Sequence, residues 1–271
     1  MAPGGKGANQ AVAAARCGAE VAFVGCLGND AYGNEALENY RREGIIATHV
    51  RLTDEAATAV ATITVDATGQ NSITVAPGSN FCLTVEDIER ARDLIEDADV
   101  VLLQLEIPIV CVRRAVDIAY EMRKTIILNP APAQPLDDET LKKASILTPN
   151  ESETEMLTSA HVRSVNEVVK AAQILRRRTA ATVVLTLGER GAFVSGEGCE
   201  ELIPTRSVKA LDATAAGDVF NGALAVMVAE KKDLREAIRF ANAAAALSVT
   251  KMGAQPSIPT RKEVENFMLE K

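Results

Sequence analysis

Hydrophobic positions along the chain fall into two alternating patterns. Short apolar runs rich in Val, Ile and Leu occur at EVAFVGC (20–26), DVVLLQLE (99–106), TIILNPAP (125–132), ASILTPN (144–150) and TVVLTLG (182–188). Runs of this length and β-branched content predict buried strands. Between them, ANQAVAAARCGA (8–19), NEALENYRREG (34–44), VEDIERARDLIEDA (85–98), IPIVCVRRAVDIAYEMRK (107–124) and VNEVVKAAQILRRR (165–178) place apolar residues at helical spacing. The alternation predicts an α/β chain whose mainly parallel sheet is covered on both faces. One segment departs from it. TAVATITVDATGQNSITV (58–75) alternates with period two about a polar, glycine-containing turn, the pattern of an antiparallel hairpin suited to a flap. No internal repeat, low-complexity tract or linker divides the chain, so residues 1–271 are expected to form one domain.

In sheets of this kind ligands gather beyond the carboxyl ends of the strands. GCLGND, QLE, NPAPA, TPNESE and TLGERG each follow an apolar run directly, which puts the expected chemistry on one edge. DATAAGD (212–218) precedes VFNGALAVMVAEKK (219–232), a helical pattern, and so reads as a loop feeding a helix. Amide groups at a helix start lack intrahelical partners, and the helix dipole makes the place attractive to anions. Small side chains at Ala215, Ala216 and Gly217 would let an anion reach those amides. Asp218, in the first turn, cannot itself bind phosphate, but could accept a proton from a hydroxyl attacking one. Taken alone, the heptapeptide reads as well as a plain helix start.

Composition narrows the partners. The 271 residues carry 29 basic and 37 acidic side chains, a net charge of −8, which disfavours nucleic acid as a partner. No apolar run is long enough to span a membrane, and no signal peptide is recognisable. Cys17, Cys26, Cys82, Cys111 and Cys199 form no CxxC pair, which points to a reducing cytoplasm. His49 and His161 stand far apart and offer no helical ligand pair. GGKGANQ (4–10) is glycine-rich and opens a helix, yet GxxxxGK[ST] occurs nowhere, which disfavours the P-loop class. Three glycines around a lysine suit close backbone approach to a polyhydroxyl or phosphate ligand, and Asn9 offers both a donor and an acceptor.

GGKGANQAVAAARCGA and DATAAGDVFNGAL together resemble the ribokinase-like carbohydrate kinase superfamily. QLEIP (104–108), NPAPA (129–133), TPNESE (148–153), TLGERG (186–191) and FANAAAALSVTKMGAQPSIP (240–259) continue the resemblance in order, across residues 4–270. It implies a three-layer αβα sandwich with a mainly parallel central sheet and a small β lid at 58–76. It also implies ATP-dependent phosphorylation of D-ribose at the 5-hydroxyl. Deoxyribose, another pentose or a nucleoside stand as alternatives, as does a non-catalytic nucleotide- or sugar-binding relative. By this resemblance Asp218 is the catalytic base and Ala215, Ala216 and Gly217 are the anion hole. Gly5, Lys6, Gly7, Asn9 and Glu106, with Asp218, match sugar-contacting positions. Asn150 and Glu153 match an N-x-x-E element near Mg²⁺ and the nucleotide phosphates, although NESE alone is more often a helix cap. Thr186, Gly188, Gly191, Gly217 and Asn242 match nucleotide contacts. Asp212, Thr214, Ser248, Lys251, Gly253 and Ser257 fall in loops that hold K⁺ largely through backbone carbonyls. The Lys251 ammonium cannot itself be a ligand.

The family pattern also has a segment ahead of GGKGANQ that supplies an opening strand, a sugar-gripping aspartate and part of the lid. That segment is absent from MAPGGKGANQ. An unpaired interior strand edge is therefore expected, together with a homodimer through the lid that is weakened or altered.

Overall fold

The computed structural model describes residues 3–65, 71–179, 181–196 and 198–270. The chain opens with helix α1 (Lys6–Arg16), strand β1 (Ala22–Gly28), α2 (Ala31–Arg42) and β2 (Ile46–Thr53). Strands β3 (Val60–Val65) and β4 (Asn71–Ala76) follow, then α3 (Val85–Arg90), α4 (Arg92–Asp97), β5 (Val100–Leu103), α5 (Ile109–Glu121) and β6 (Thr125–Leu128). Next come α6 (Asp138–Lys143), β7 (Ile146–Leu147), α7 (Glu151–Thr158), α8 (Val165–Arg178) and β8 (Thr182–Thr186). The hairpin β9 (Ala192–Gly196) and β10 (Cys199–Ile203) leads into α9 (Ala216–Ala229), α10 (Leu234–Ser248) and α11 (Arg261–Leu269).

Local chemistry accounts for many of these boundaries. Ser164 starts α8 in a capping box with Glu167, and Arg176, Arg177 and Arg178 face the negative end of its dipole. The helical pattern at 85–98 splits at Ala91, whose amide bonds to the Ile88 carbonyl three residues back and tightens the turn.

The main sheet runs β10-β9-β8-β7-β6-β5, with β5 to β8 parallel and β9 and β10 antiparallel. Alternate residues feed opposite layers, as the period of two requires. Ile127, Ile146, Val184 and Val194 join the cluster that contains α1, α9 and α10. Ile126, Leu128, Leu147, Val183 and Leu185 join the cluster that contains α5 and α8. The result is the three-layer αβα sandwich with a largely parallel sheet that the motifs implied.

Two pairs stand outside this sheet. β3 and β4 pair antiparallel from Val60 opposite Ala76 to Val65 opposite Asn71, and the turn expected at 66–70 lies outside the described residues. β1 pairs in parallel with β2, a strand that the apolar-run pattern did not single out because IATHVRLT mixes polar and apolar residues throughout. Among the described residues, no strand bonds to the other edge of β1 or to the free edge of β5. A cavity of 1830 Å³ lies there. Its lining runs from Ala22–Cys26 and Val100–Leu103 to the start of α1 and to Asp218.

Candidate active site

α1 and α9 cross closely enough that a methyl group on Gly222 would lie 2.5 Å from the Gln10 carbonyl oxygen and 2.6 Å from the Ala13 Cβ. Glycine at 222 therefore sets the approach of the two helices, and the approach brings Asn9 and Gln10 against Asp218. Asn9 Nδ2 donates to Asp218 Oδ2 at 2.9 Å, and Gln10 Nε2 donates to Oδ1 at 3.0 Å. Asp218 is buried, and that burial raises its pKa above the ordinary 3.8, opposed by the Lys6 charge and by the Asn9 and Gln10 hydrogen bonds.

Two further carboxylates share this environment. Glu106, just past β5, accepts the Lys6 backbone N–H at 2.8 Å. Gly5 before it adopts φ 93°, a conformation that favours glycine and turns that amide toward the carboxylate. A methyl on Gly7 would sit 3.0 Å from Gln104 Oε1 and 3.2 Å from the Phe23 ring, a tight fit against both side chains. Glu153, buried in the first turn of α7, forms a capping box with Asn150: its Oε2 accepts the Asn150 N–H at 2.8 Å and Asn150 Oδ1 accepts its N–H at 2.8 Å. Burial raises both Glu106 and Glu153 above 4.5, while the Lys6 charge pulls each down and Asp218 pushes each up. Three carboxylates raised by burial and acted on by the Lys6 charge mark this region as the candidate site.

The start of α9 is unusual. Ala215 adopts the left-handed conformation, φ 64° and ψ 6°, and no side chain caps the helix. Among the described residues, the amides of Ala215 and Gly217 make no hydrogen bond, whereas the Ala216 amide donates to the Ala213 carbonyl at 3.2 Å. Of the three amides expected to be free, one is thus engaged in the turn. A methyl on Gly217 would meet nothing within 4 Å, which leaves its amide approachable.

The K⁺ candidates converge only in part. Asp212 Oδ1 accepts the Thr214 N–H at 2.9 Å and its hydroxyl at 2.6 Å, and Oδ2 accepts the Gly253 N–H at 2.8 Å. Burial pushes the Asp212 pKa up, but these Thr214 and Gly253 bonds hold it below 3.8. Its carboxylate is spent on stapling two loops together. The Ser248 hydroxyl donates to the Ala245 carbonyl and the Ser257 hydroxyl to the Ala254 carbonyl, while Lys251 Nζ pairs with Glu263 at 3.1 Å.

The nucleotide candidates form a second group around the ends of β7 and β8. Asn150 and Thr186 bridge these strand ends, and the Thr186 N–H donates to the Pro149 carbonyl at 3.0 Å. Gly188 and Gly191 flank the turn after β8 with φ 55° and 94°. At Gly191 a methyl would approach the Ile203 oxygen to 2.2 Å, so packing alone accounts for that glycine. Asn242, buried on α10, donates to the Ile203 carbonyl at 2.9 Å.

The motifs did not single out Gln10, Gln104, Asn129, Thr148 or Asn221, yet they connect the two groups. Asn129 Nδ2 donates to the Thr148 carbonyl at 2.9 Å and the Thr148 hydroxyl to Asn221 Oδ1 at 2.6 Å. Asn221 Nδ2 then donates to the Gly217 carbonyl at 2.8 Å. For Gln104, Asn129 and Thr148 the available signal was a polar residue immediately after an apolar run, whereas Gln10 and Asn221 lie inside helices and gave none. Among the described residues, no three His, Cys, Asp or Glu side chains cluster as a metal site, and no helix is long and apolar enough to cross a membrane. His161 is exposed beside Glu155 at 3.3 Å, away from these groups.

Residues 1–261 match the pfkB family carbohydrate kinase. The ribokinase of Haemophilus influenzae is 46% identical over 268 residues, covering 99% of this chain and 88% of its own length. A crystal structure of ribokinase from Thermotoga maritima is similar with a TM-score of 0.89 and 41% identity, over 99% of this chain and 88% of that one. The structure of Arabidopsis thaliana ribokinase complexed with ribose and ATP is similar with a TM-score of 0.91 and 31% identity, over 99% of this chain and 88% of that one.

Proposed function

This chain belongs to the pfkB family of carbohydrate kinases, and from that premise we propose that it transfers the γ-phosphoryl group of ATP to the 5-hydroxyl of D-ribose. The observation that carries the proposal is the Asp218 carboxylate, buried at the open start of α9 and shifted toward greater basicity.

The sugar rests against Gly5, Lys6, Gly7, Asn9 and Glu106. Its primary hydroxyl reaches Asp218, which takes the proton as the oxygen attacks the γ-phosphorus and the bond to the β–γ bridging oxygen breaks, so that ADP leaves. Charge gathering on the transferred group meets the amides of Ala215, Ala216 and Gly217 at the positive end of α9. The nucleotide lies along Asn150, Thr186, Gly188, Gly191, Gly217 and Asn242.

Glu153, with Asn150, would hold Mg²⁺ on the ATP phosphates. One buried carboxylate suits an ion that takes few protein ligands and completes its shell with phosphate and water. Bound there, Mg²⁺ would supply positive charge against the phosphates. K⁺ would take backbone carbonyls of the loops carrying Asp212, Thr214, Ser248, Lys251, Gly253 and Ser257. The Asp212 carboxylate is occupied by the Thr214 and Gly253 hydrogen bonds, which supports ligation by carbonyls. Exposed Val60 and Val75, which lie on opposite sides of the β3–β4 pair, support a homodimer through that hairpin. Five unbridged cysteines support a reducing cytoplasm as its compartment.

The deciding measurement is ADP release from ATP with D-ribose, deoxyribose or a nucleoside, in the presence of Mg²⁺ and with or without K⁺. Ribose is expected to give the largest kcat/KM, chelation of Mg²⁺ to abolish release and K⁺ to raise it. Absence of sugar-dependent release under all of these conditions overturns the assignment.

A further inference from the structure

We propose that Gln10 is a positioning residue for Asp218, acting at the centre of a buried chain of side-chain amides that fixes how the carboxylate faces. The inference rests on the role proposed above for Asp218 as the base. Gln10 is 1% exposed, and both amide hydrogens and the amide oxygen are hydrogen-bonded within the protein. Nε2 donates both to Asp218 Oδ1 at 3.0 Å and to Asn129 Oδ1 at 3.1 Å, while Oε1 accepts from Gln104 Nε2.

The direction of this chain is forced at both ends. An ionised carboxylate only accepts, so the Gln10 NH₂ must face Asp218. Its oxygen then faces Gln104, which must donate. Asn129 presents its oxygen to Gln10, so its NH₂ faces the Thr148 carbonyl, which also only accepts. None of these amides can flip without setting donor against donor or acceptor against acceptor. The ends of β5, β6 and β7 thereby set the orientation of one group on α1, and that group sets Asp218.

Asn9 differs in a way that isolates the role of Gln10. Asn9 also donates to Asp218, but its own Oδ1 is buried without a partner. An unpartnered acceptor on a residue that lines the cavity is available to an incoming hydroxyl. When Asn9 is so engaged, Gln10 still holds the carboxylate. Both Gln10 N–H groups are engaged within the protein and the side chain is buried, so it acts through Asp218.

Gln10→Met keeps the length of the side chain and removes the hydrogen bonds. It is expected to lower kcat about tenfold, equivalent to ~1.4 kcal/mol, with KM for ATP within about twofold of the parent. In an Asp218→Asn background the same change is expected to cost no further residual turnover, because the group it positions is gone. A merely structural role would lower turnover by the same factor in both backgrounds. Crystals of Gln10→Met are expected to show the Asp218 carboxylate rotated from its present seat. An unchanged kcat, an equal loss in both backgrounds, or a carboxylate left in place would each overturn the proposal.

If the parent shows no sugar-dependent ADP release, the proposed function fails, while the crystallographic comparison still decides the role of Gln10. Should Gln10→Met not fold, Gln104→Met removes the outer link alone. It is expected to lower kcat about two- to threefold, on the scale of a lost fraction of a hydrogen bond, with KM for ATP unchanged. No loss of kcat there also overturns the proposal.

Discussion

The six-stranded sheet and the β1–β2 pair are held by different forces. In β6 and β8, Ile126, Ile127, Leu128, Val183, Val184 and Leu185 are all fully buried between helical layers. In the pair, Ile46 and Leu52 of β2 remain exposed, and Phe23 and Val24 of β1 are half-buried beside the cavity. Polar clamps do more of the work there. Arg16 pairs with Glu43 at 2.6 Å and donates to the Gln255 and Ile258 carbonyls, which ties α1, α2 and the C-terminal loop together. Arg51 on β2 pairs with Asp87 at 3.0 Å. Asp30 accepts from the Thr58 N–H and hydroxyl, both at 2.8 Å, which fixes the base of the β3–β4 hairpin. The site draws on the main sheet's ends for its proton chemistry, through α9 and the amide chain, so its most demanding geometry stands on the part sealed by apolar packing.

The largest effect should follow from Asp218. Asp218→Asn is expected to lower kcat by about 10²–10⁴ while leaving ATP affinity nearly unchanged. Because burial raises its pKa, the acid limb of kcat in the parent should have its midpoint above 3.8, with activity falling as pH drops through it. Parental turnover by the Asn variant, measured by ADP release, would remove Asp218 from the reaction. Next in size is the contrast of cores. Ile127→Ala, at a fully buried site, is expected to cost about 2–5 kcal/mol, whereas Val24→Ala on β1 should cost about 1 kcal/mol. Equal costs in urea denaturation would break the comparison between the two regions.

The same contrast explains what could be read from the sequence. Buried parallel strands announce themselves as unbroken apolar runs, so β5, β6, β8 and the helix 165–178 were legible, the last to the residue. β2 was not, because one of its faces is wet and its HVRLT residues alternate without an apolar run. The small-residue loop before α9 and the glycines before α1 were legible because backbone exposure leaves a compositional trace. Gln10 and Asn221 left none. A buried amide is chosen for partners that come from distant segments, and only the folded arrangement shows that Gln10 meets Asn129, 119 residues away. The left-handed Ala215 was equally hidden, since alanine gives no hint of a positive φ.

A medium effect tests the clamps. Arg51→Met leaves Asp87, whose side chain is buried, without its guanidinium partner, and is expected to cost about 1–3 kcal/mol near neutral pH. Thr84 and Arg90 still contact Asp87, which keeps the loss below that of a stranded charge. Burial pushes the Asp87 pKa up, yet the Thr84 and Arg51 bonds bring it below 3.8. A depressed carboxylate pKa contributes stability above 3.8 that is lost as pH falls through the folded value. Parent and variant should therefore differ most at neutral pH and converge in acid. A gap that widens on acidification would show that Arg51 stabilises β2 by packing of its stem and not by charge.

The smallest effect belongs to a polar contact on the sealed side. α11 packs Val264 into the core cluster, but its start is exposed. Thr260 and Glu263 form a capping box there, with the Glu263 carboxylate accepting the Thr260 N–H at 2.7 Å and its hydroxyl at 2.8 Å. Thr260→Ala is expected to cost about 1 kcal/mol, the ordinary value of a helix cap, and to leave KM for ribose and ATP unchanged. The Thr260 backbone and side chain, then Lys251, hold the Glu263 pKa down from 4.5 to about 2. The contribution of that carboxylate is therefore present above pH 4.5 and fades as pH falls toward about 2, so the cost of the substitution should shrink over the same interval. If Thr260→Ala instead costs as much as Arg51→Met, exposed hydrogen bonds matter as much on the apolar side as on the clamped one. The distinction between the two regions would then lie in their solvent exposure alone.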